Sequence, residues 1–411
     1  MAAPATLETS QETKTVPTAA AASQPAASVP ATAAAPAATG ARAERTDRYL
    51  VSVEEYAAFR RNGFLVVKNL VPPEQIAELR QHTEDLMQGR LPEQSSQMQA
   101  RDTGKDHGVL TQGLEAPPAH LTPEEKAQYF LRIHMLHRKL ELHERYLLQP
   151  RVLDVLEAII GPDVLAMQTM LFLKPPGKPG QGWHQDSYYI PTFPDTLCGA
   201  WIAIDDCDEY NGAMWFAQES NNEPIYPPQE GYGHGDRILK EIDFVKGVSN
   251  PDDDQNDLSK VANRYNQILV PAKAGDVVFF GGHVLHRSKA NVTKDRFRRA
   301  FVSHYCNARA FTQWGADHDP KTNPHAATAV DPVTKMTNAS HILARGDTHL
   351  PFAQPRFGTY CAAVEPLEVR RARTEEIFAK RYLGNMASGM MGSAPADPNV
   401  KHDDKPAAGG Y

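Results

Sequence analysis

The spacing of apolar and polar positions changes character several times along the chain. Residues 1–48 are dominated by Ala, Pro, Ser and Thr and carry almost no large apolar side chain. Such a segment cannot bury enough surface to offset its ordering entropy, which predicts a disordered tail. A helical period begins at "SVEEYAAFRRN", where Ser52 and Glu55 have the spacing of a capping box and Asn62-Gly63 ends the element. "GFLVV" then reads as a strand, and Pro72 and Pro73 open a second helix through "EQIAELRQHTEDLM". Residues 90–122 are polar and irregular. From Pro123 to Gly161 the spacing predicts one or two amphipathic helices, with Gly161 just past the end.

After Gly161 the chain becomes strand-like. "VLAMQTMLFLKPPG", "TLCGAWIAIDD", "GAMWFAQES", "NQILVPAKAGDVVFFGGHVLHRS" and "RRAFVSHYCNA" are all candidates. Between the second and third, "CDEYNG" carries Asn211-Gly212, a hairpin signal. Residues 219–265 are long, polar and irregular, the profile of a lid or binding loop. "PLEVRRARTEEIFAKRYLG" reads as an outer helix capped by Gly384, its arginines a solvated face. Residues 385–411 resemble the N-terminal tail. Helices first, then antiparallel strands with Gly/Pro turns, predict an α+β fold. The strand part suits a jelly roll, two sheets around a cavity. The expected organisation is a tail over 1–48, one domain over 49–384 with the insert at 219–265, and a flexible tail over 385–411.

Composition narrows the function classes. The 411 residues are 41% hydrophobic and 23% charged, with a net charge of −7, so no cationic field exists to hold a nucleic acid. Cys198, Cys207, Cys306 and Cys361 form no Cys-x-x-Cys pair, which suggests reduced thiols in a cytoplasmic protein. No stretch approaches the roughly 20 apolar residues of a membrane span. The N-terminus lacks the charged start and apolar core of a secretory signal, and Glu8 and Glu12 weigh against a transit peptide. The expected partner is a small-molecule substrate, with neither nucleic acid nor membrane; oligomeric state leaves no trace.

His-x-Asp occurs three times, at His184/Asp186, His234/Asp236 and His402/Asp404. The last lies in the C-terminal tail, and the second sits among glycines in "EGYGHGDR", a poor place to fix a ligand. The first follows a β-rich run, and in an extended chain residues i and i+2 project to the same face. Its bland alternative is a strand-end pair hydrogen-bonded to backbone. A third ligand would come from His283, His286 or His304; the first two differ in strand parity. Two histidines and one carboxylate on one face form the non-haem Fe(II) arrangement used for oxygen chemistry. His134 and His137, three apart on the predicted helix with His143 beyond, could share a metal but suit an amphipathic face better. Trp201, Trp215, Phe279 and Phe280 read as core; Tyr188, Tyr189 and Phe193 are candidates for a substrate pocket or for simple packing.

Together, "RRNGFLVVKNLVPPEQIAELR", "QTMLFLKPPG…GWHQD", "WIAIDD…EYNGAMWF" and "AGDVVFFGGHVLHRSKANVTKDRFRRAF" resemble the phytanoyl-CoA dioxygenase family of Fe(II)/2-oxoglutarate oxygenases, over about Val51 to Ala308. The resemblance implies a double-stranded β-helix, with Fe(II) as cofactor and 2-oxoglutarate and O2 as cosubstrates. It implies that His184, Asp186 and His286 bind iron, His286 by its Leu-His-x-Ser block. It implies that Arg298, in Phe-Arg-x-Ala, holds the distal carboxylate of 2-oxoglutarate with help from Ser288, leaving Arg299 for the outer surface. The spacing from His286 runs one residue long for the family, which keeps Arg299 as an alternative. Gln168 and Lys174 are weaker candidates beside them. The carboxylate of Asp186 points to hydroxylation rather than halogenation. One departure stands out: Glu219 and Asn221 occupy positions where the family has Gly and His. The rival readings are a jelly-roll metal enzyme without 2-oxoglutarate and a binding protein that kept the fold.

Overall fold

The first helix shows how local sequence sets the frame. In α1 (Val53–Asn62), the Ser52 hydroxyl accepts from Glu55 N while the Glu55 carboxylate accepts from Ser52 N. Gly63 ends it in the left-handed region (φ 84°) that glycine adopts without strain. The computed structural model describes residues 46–94, 101–102, 109–111, 114–226, 256–312, 341–348, 353 and 357. The chain divides at Thr46/Asp47, and every element from α1 onward belongs to the second unit. Residues 1–45, residues 385–411, the expected helix at 366–384 and the middle of the 219–265 insert lie outside the described residues, as do His234/Asp236 and His402/Asp404.

After β1 (Phe64–Val67) comes α2 (Pro73–Met87), then the short strands β2 (Arg101–Asp102) and β3 (Val109–Thr111). The segment expected to be helical divides into α3 (Pro123–Ala127), β4 (Phe130–His134), a 3-10 turn at Leu136–Arg138, α4 (Glu141–Leu147) and α5 (Pro150–Ile160). The departure is β4, which pairs antiparallel with β5 (Val164–Lys174) and parallel with β3. An open sheet edge offered "FLRIH" backbone partners that a helix would have had to supply locally. His134, His137 and His143 therefore do not share a helix. His134 lies on β4, His137 bonds Thr169 Oγ1 at 3.1 Å, and His143 in α4 meets His82 of α2 at 3.2 Å.

The remaining strands are β6 (Gln181–His184), β7 (Thr192–Phe193), β8 (Cys198–Ala203), β9 (Met214–Ala217), β10 (Gln267–Val270), β11 (Val277–Gly281), β12 (His286–Ser288), β13 (Arg298–Asn307), β14 (Phe311–Thr312) and β15 (Ile342–Arg345), with α6 (Asp186–Tyr189) after β6. A nine-stranded sheet runs β1-β11-β8-β13-β5-β4-β3-β2, with β15 also on β5; a four-stranded sheet runs β10-β9-β12-β6. This is the expected jelly roll, a double-stranded β-helix. The Asn211-Gly212 turn is not a hairpin, because β8 belongs to the large sheet and β9 to the small one. The turn is local and tight, but pairing is decided by distant strands. Buried Asn211 instead joins the crossing to β13 by donating to Asp206 O and Phe297 O, at 2.9 and 3.1 Å.

Both faces of the large sheet are covered. On one side Leu171, Phe279, Phe301 and Tyr305 pack against Leu79, Leu86, Leu147 and Leu153 of the helices. On the other, Phe64, Trp201, Phe216, Phe280 and Val302 fill the space between the sheets, with Phe64 and Phe216 stacked at 4.4 Å. Side chains of β13 alternate between these layers. Arg298, Val302 and His304 line a cavity between the sheets, while Phe301 and Tyr305 join the helix-side core.

The two ends of the 219–265 insert are tied together next to β6 and the loop before β12. The buried Glu223 carboxylate accepts from Tyr226 (2.6 Å) and Tyr265 and pairs with Arg264 at 3.4 Å. Gln185 donates to Pro224 O and His283 O and accepts from Tyr226 N, each at 2.9 Å. Asn256, from the other end, donates to Trp183 O at 2.9 Å.

Candidate metal centre and its cavity

Strands β6 and β12 pair so that His184 and His286 stand directly opposite, with ring centroids 4.1 Å apart. Each ring donates its Nδ1 proton to a backbone carbonyl two residues earlier, Gly182 at 2.8 Å and Val284 at 3.0 Å. Both Nε2 lone pairs are thereby left for the cavity. Gln185 is extended (φ −124°, ψ 128°), so Asp186, at the start of α6, returns to the face of His184. Its Oδ1 lies 3.6 Å from His184 Nε2 and 3.7 Å from His286 Nε2. The ligand atoms of the three residues fall within 4.8 Å of one another, the one such group among the described residues. A divalent cation fits this donor set: two neutral imidazoles, one carboxylate, one open side.

The electrostatics agree. Burial, reinforced by His286, pushes the His184 imidazole down to about 3, so it is neutral as a ligand must be. Burial alone would raise the Asp186 carboxyl. His286, His304 and the hydrogen bond from His304 outweigh that and hold it well below the usual carboxylate range. The amide of Gln181 sits 3.1 Å from His184 Nε2, donating to the lone pair that a metal would take.

The other two candidate histidines do different work. His304 Nε2 donates to Asp186 Oδ2 at 2.7 Å, and its Nδ1 accepts from Gln168 Nε2 at 2.9 Å. His283 lies outside the centre, with Nδ1 2.7 Å from Glu223 O and Nε2 2.6 Å from Asp195 Oδ2. Both its nitrogens face acceptors, so both must donate and the ring is a cation there. Its pKa is accordingly raised, first by the bond to Asp195.

The centre opens into a cavity of about 320 Å³, walled by Met170, Phe172, Trp201, Met214 and Phe280 among others. Arg298 enters from β13, 3% exposed, its guanidinium 5.7 Å from the Phe172 ring and 5.9 Å from the Trp201 ring. Burial lowers its pKa to about 10. No described residue pairs with it, and its Nε has no hydrogen-bond partner. Ser288 also lines the cavity. Lys174 does not; its Nζ donates to Ser288 Oγ at 2.9 Å and to Lys289 O at 2.7 Å, fixing the serine from behind. Gln168 lines the cavity with its amide committed to His304. Arg299, expected on the outer surface, is buried instead. The helices cover that face of the sheet, and Arg299 grips Asp205 in a two-point fork (2.7 and 2.8 Å) and contacts Glu84 of α2. Tyr189 lines the cavity, whereas Phe193 is 77% exposed and does not. Glu219 adopts the left-handed region at φ 70°, a conformation that suits glycine.

A sequence profile described as phytanoyl-CoA dioxygenase matches residues 59–300. The chain belongs to the phytanoyl-CoA dioxygenase family. Rat peroxisomal phytanoyl-CoA dioxygenase is 29% identical over 269 residues, covering 63% of this chain and 69% of the relative. The human enzyme is 27% identical, covering 64% and 70%. Ectoine dioxygenase of Stutzerimonas stutzeri is 24% identical, covering 59% and 73%. Among solved structures, the epimerase SnoN in complex with Fe3+, alpha ketoglutarate and nogalamycin RO has a TM-score of 0.47 at 17% identity, covering 69% of this chain and 94% of that one. EctD from S. alaskensis with 2-oxoglutarate and 5-hydroxyectoine gives 0.43 at 18%, covering 65% and 80%. As a phytanoyl-CoA dioxygenase family member, the chain is a non-haem iron, 2-oxoglutarate-dependent dioxygenase by class. Fe(II), 2-oxoglutarate and O2 are its cofactor and cosubstrates.

Sequence reasoning missed four cavity contributions in this family member: Arg132 and His134 of β4, Gln181, and the supporting position of His304. Parity held the signal for His304, which is an even number of residues from Arg298 on one strand. Arg132 and His134 share the same i, i+2 spacing, hidden by the helical reading of their segment. No described helix is long and apolar enough to cross a membrane.

Proposed function

We propose that the protein hydroxylates a small organic molecule while 2-oxoglutarate is oxidatively decarboxylated to succinate and CO2. One oxygen atom of O2 goes to the substrate and the other to succinate. In this reading His184, Asp186 and His286 hold Fe(II), which supplies the O2-activating redox chemistry. Arg298 and Ser288 receive the far carboxylate of 2-oxoglutarate, and Lys174 acts by holding Ser288. The observation that carries it is the unpaired, buried Arg298 in the same cavity as the three-donor centre. An uncompensated buried cation is costly to retain, and its planar fork matches a carboxylate. A cupin-like metal enzyme that did not use 2-oxoglutarate would have no use for it.

The chain's own residues then divide the work. The two imidazoles present Nε2, and Asp186 supplies the negative charge. Met170, Phe172, Trp201 and Phe280 exclude water, which strengthens the Arg298–carboxylate contact. The cavity volume limits the part of the substrate that enters to a small group beside 2-oxoglutarate, against largely apolar walls. Anaerobic titration with Fe(II) and 2-oxoglutarate tests the cosubstrate: a visible charge-transfer band should appear only with both. A succinate-release screen over acyl-CoAs, amino acids, quaternary amines, phosphonates and small natural products tests the substrate. Absence of the band in metal-loaded protein would leave the enzyme without its keto acid and overturn the reading.

A further inference from the structure

The two oxygens of Asp186 have different surroundings. Oδ1 sits almost symmetrically between the Nε2 atoms of His184 and His286, at 3.6 and 3.7 Å. Oδ2 is taken by a 2.7 Å hydrogen bond from His304 Nε2. His304 is 1% exposed and held in turn by Gln168, its register partner on β5. An N–H from Gln168 lies 2.9 Å from His304 Nδ1, so the proton of the neutral ring must sit on Nε2, the atom that faces Asp186. Directly after this pair the β13–β5 register shifts, with Tyr305 opposite Ala166. Such bulges re-aim side chains.

We infer that the Gln168–His304 pair is a positioning device that confines Asp186 to one-oxygen coordination; this rests on the metal assignment proposed above. Consider an octahedral ion. Two histidines and one carboxylate oxygen leave three positions, enough for both atoms of a chelating keto acid and for O2. If Oδ2 also turned onto the metal, only two would remain, and the two cosubstrates would compete. A charge-assisted hydrogen bond from a buried donor holds Oδ2 away from that position. Both residues line the cavity, and in this role they act through Asp186.

The experiment compares apo wild type with His304→Phe, His304→Gln, Gln168→Leu and Asp186→Ala. Folding is checked by circular dichroism, Mn(II) affinity by electron paramagnetic resonance without 2-oxoglutarate, and the anaerobic Fe(II)–2-oxoglutarate band by absorption. His304→Phe should weaken Mn(II) binding by about 10- to 100-fold, the scale for loss of an outer partner of a ligand. It should keep the anaerobic band, for which two positions suffice, but slow the decay of that band when O2 is admitted. His304→Gln, whose amide can still donate to Oδ2, should recover most of both. Gln168→Leu, which only frees the tautomer, should show a smaller loss and keeps the test open if His304→Phe does not fold. Wild-type affinity and wild-type decay of the band under O2 in folded His304→Phe, or in Gln168→Leu where His304→Phe does not fold, beside a metal-null Asp186→Ala, would overturn this inference alone. Wild-type affinity in Asp186→Ala would remove the metal assignment and this inference with it.

Discussion

Arg298 and Arg299 are neighbours on β13, both buried, yet their surroundings are opposite. Arg299 faces the helices and meets two carboxylates, Asp205 and Glu84. Arg298 faces the other sheet and meets aromatic rings, and among the described residues no carboxylate pairs with it. On the back of the large sheet the buried Arg299 is answered by Asp205 and Glu84. The front leaves a cation unanswered beside three metal-type ligands. Burial is common to both faces; what marks the functional one is charge left without its complement.

The most severe way to break the front face is to remove a donor. Asp186→Ala or His286→Ala should reduce succinate release below detection while circular dichroism shows the fold intact. His283→Ala, outside the centre, should still bind metal. The second test crosses the two arginines. Arg298→Leu should weaken 2-oxoglutarate binding by about 2–5 kcal/mol, read from its apparent KM, with little loss of thermal stability. Arg299→Leu should do the reverse, costing stability by leaving half-buried Asp205 without its partner, by up to about 3 kcal/mol, and leaving the KM nearly unchanged. If Arg299→Leu alters the KM and Arg298→Leu does not, the contrast between the faces is reversed.

A third test concerns His283 and Asp195, where charge is answered but titrates. The His283 pKa is raised above its ordinary 6.5, so its bond to Asp195 contributes fully below that pH and is lost as pH rises through the folded value. Asp195 is lowered from 3.8, so its contribution is present above that pH and lost as pH falls through its folded value. The clamp is therefore strongest between the two and weakens on the alkaline side. Tm against pH should decline there in the wild type and less steeply in His283→Asn; parallel curves would dismiss the clamp. The smallest effect is expected at Glu219. Replacement by Gly relieves a left-handed residue and should stabilise by about 1 kcal/mol in urea titration, without changing either KM.

Much of the fold is legible in the sequence because its signals are local and mutually consistent. The Ser52–Glu55 box, the Pro-led α2 and the alternation in β5 and β13 each specify their element within a few residues. β4 escapes such a reading because its strand pairing comes from β5, more than thirty residues on, and its helical spacing belongs to the flanking turns. Asn211-Gly212 marks a turn correctly but cannot say which sheets it joins. At the site, the i, i+2 geometry of His184 and Asp186 is readable from the strand. The burial of Arg299 is not, since it depends on which face α2 covers. Nor is the support from Gln168 and His304, which requires the register of two distant strands.

The knot at Glu223 has a consequence for how such chains diversify. Tyr226, Arg264 and Tyr265 meet on one carboxylate, so the insert leaves and re-enters the barrel at a fastened collar. Once the ends are fastened, the length between them is nearly free, since doubling a loop costs only about 0.6 kcal/mol. Gln185, which sits between His184 and Asp186, grips the same collar. Inserts of other lengths between those fastened ends should therefore be tolerated at little cost to the fold.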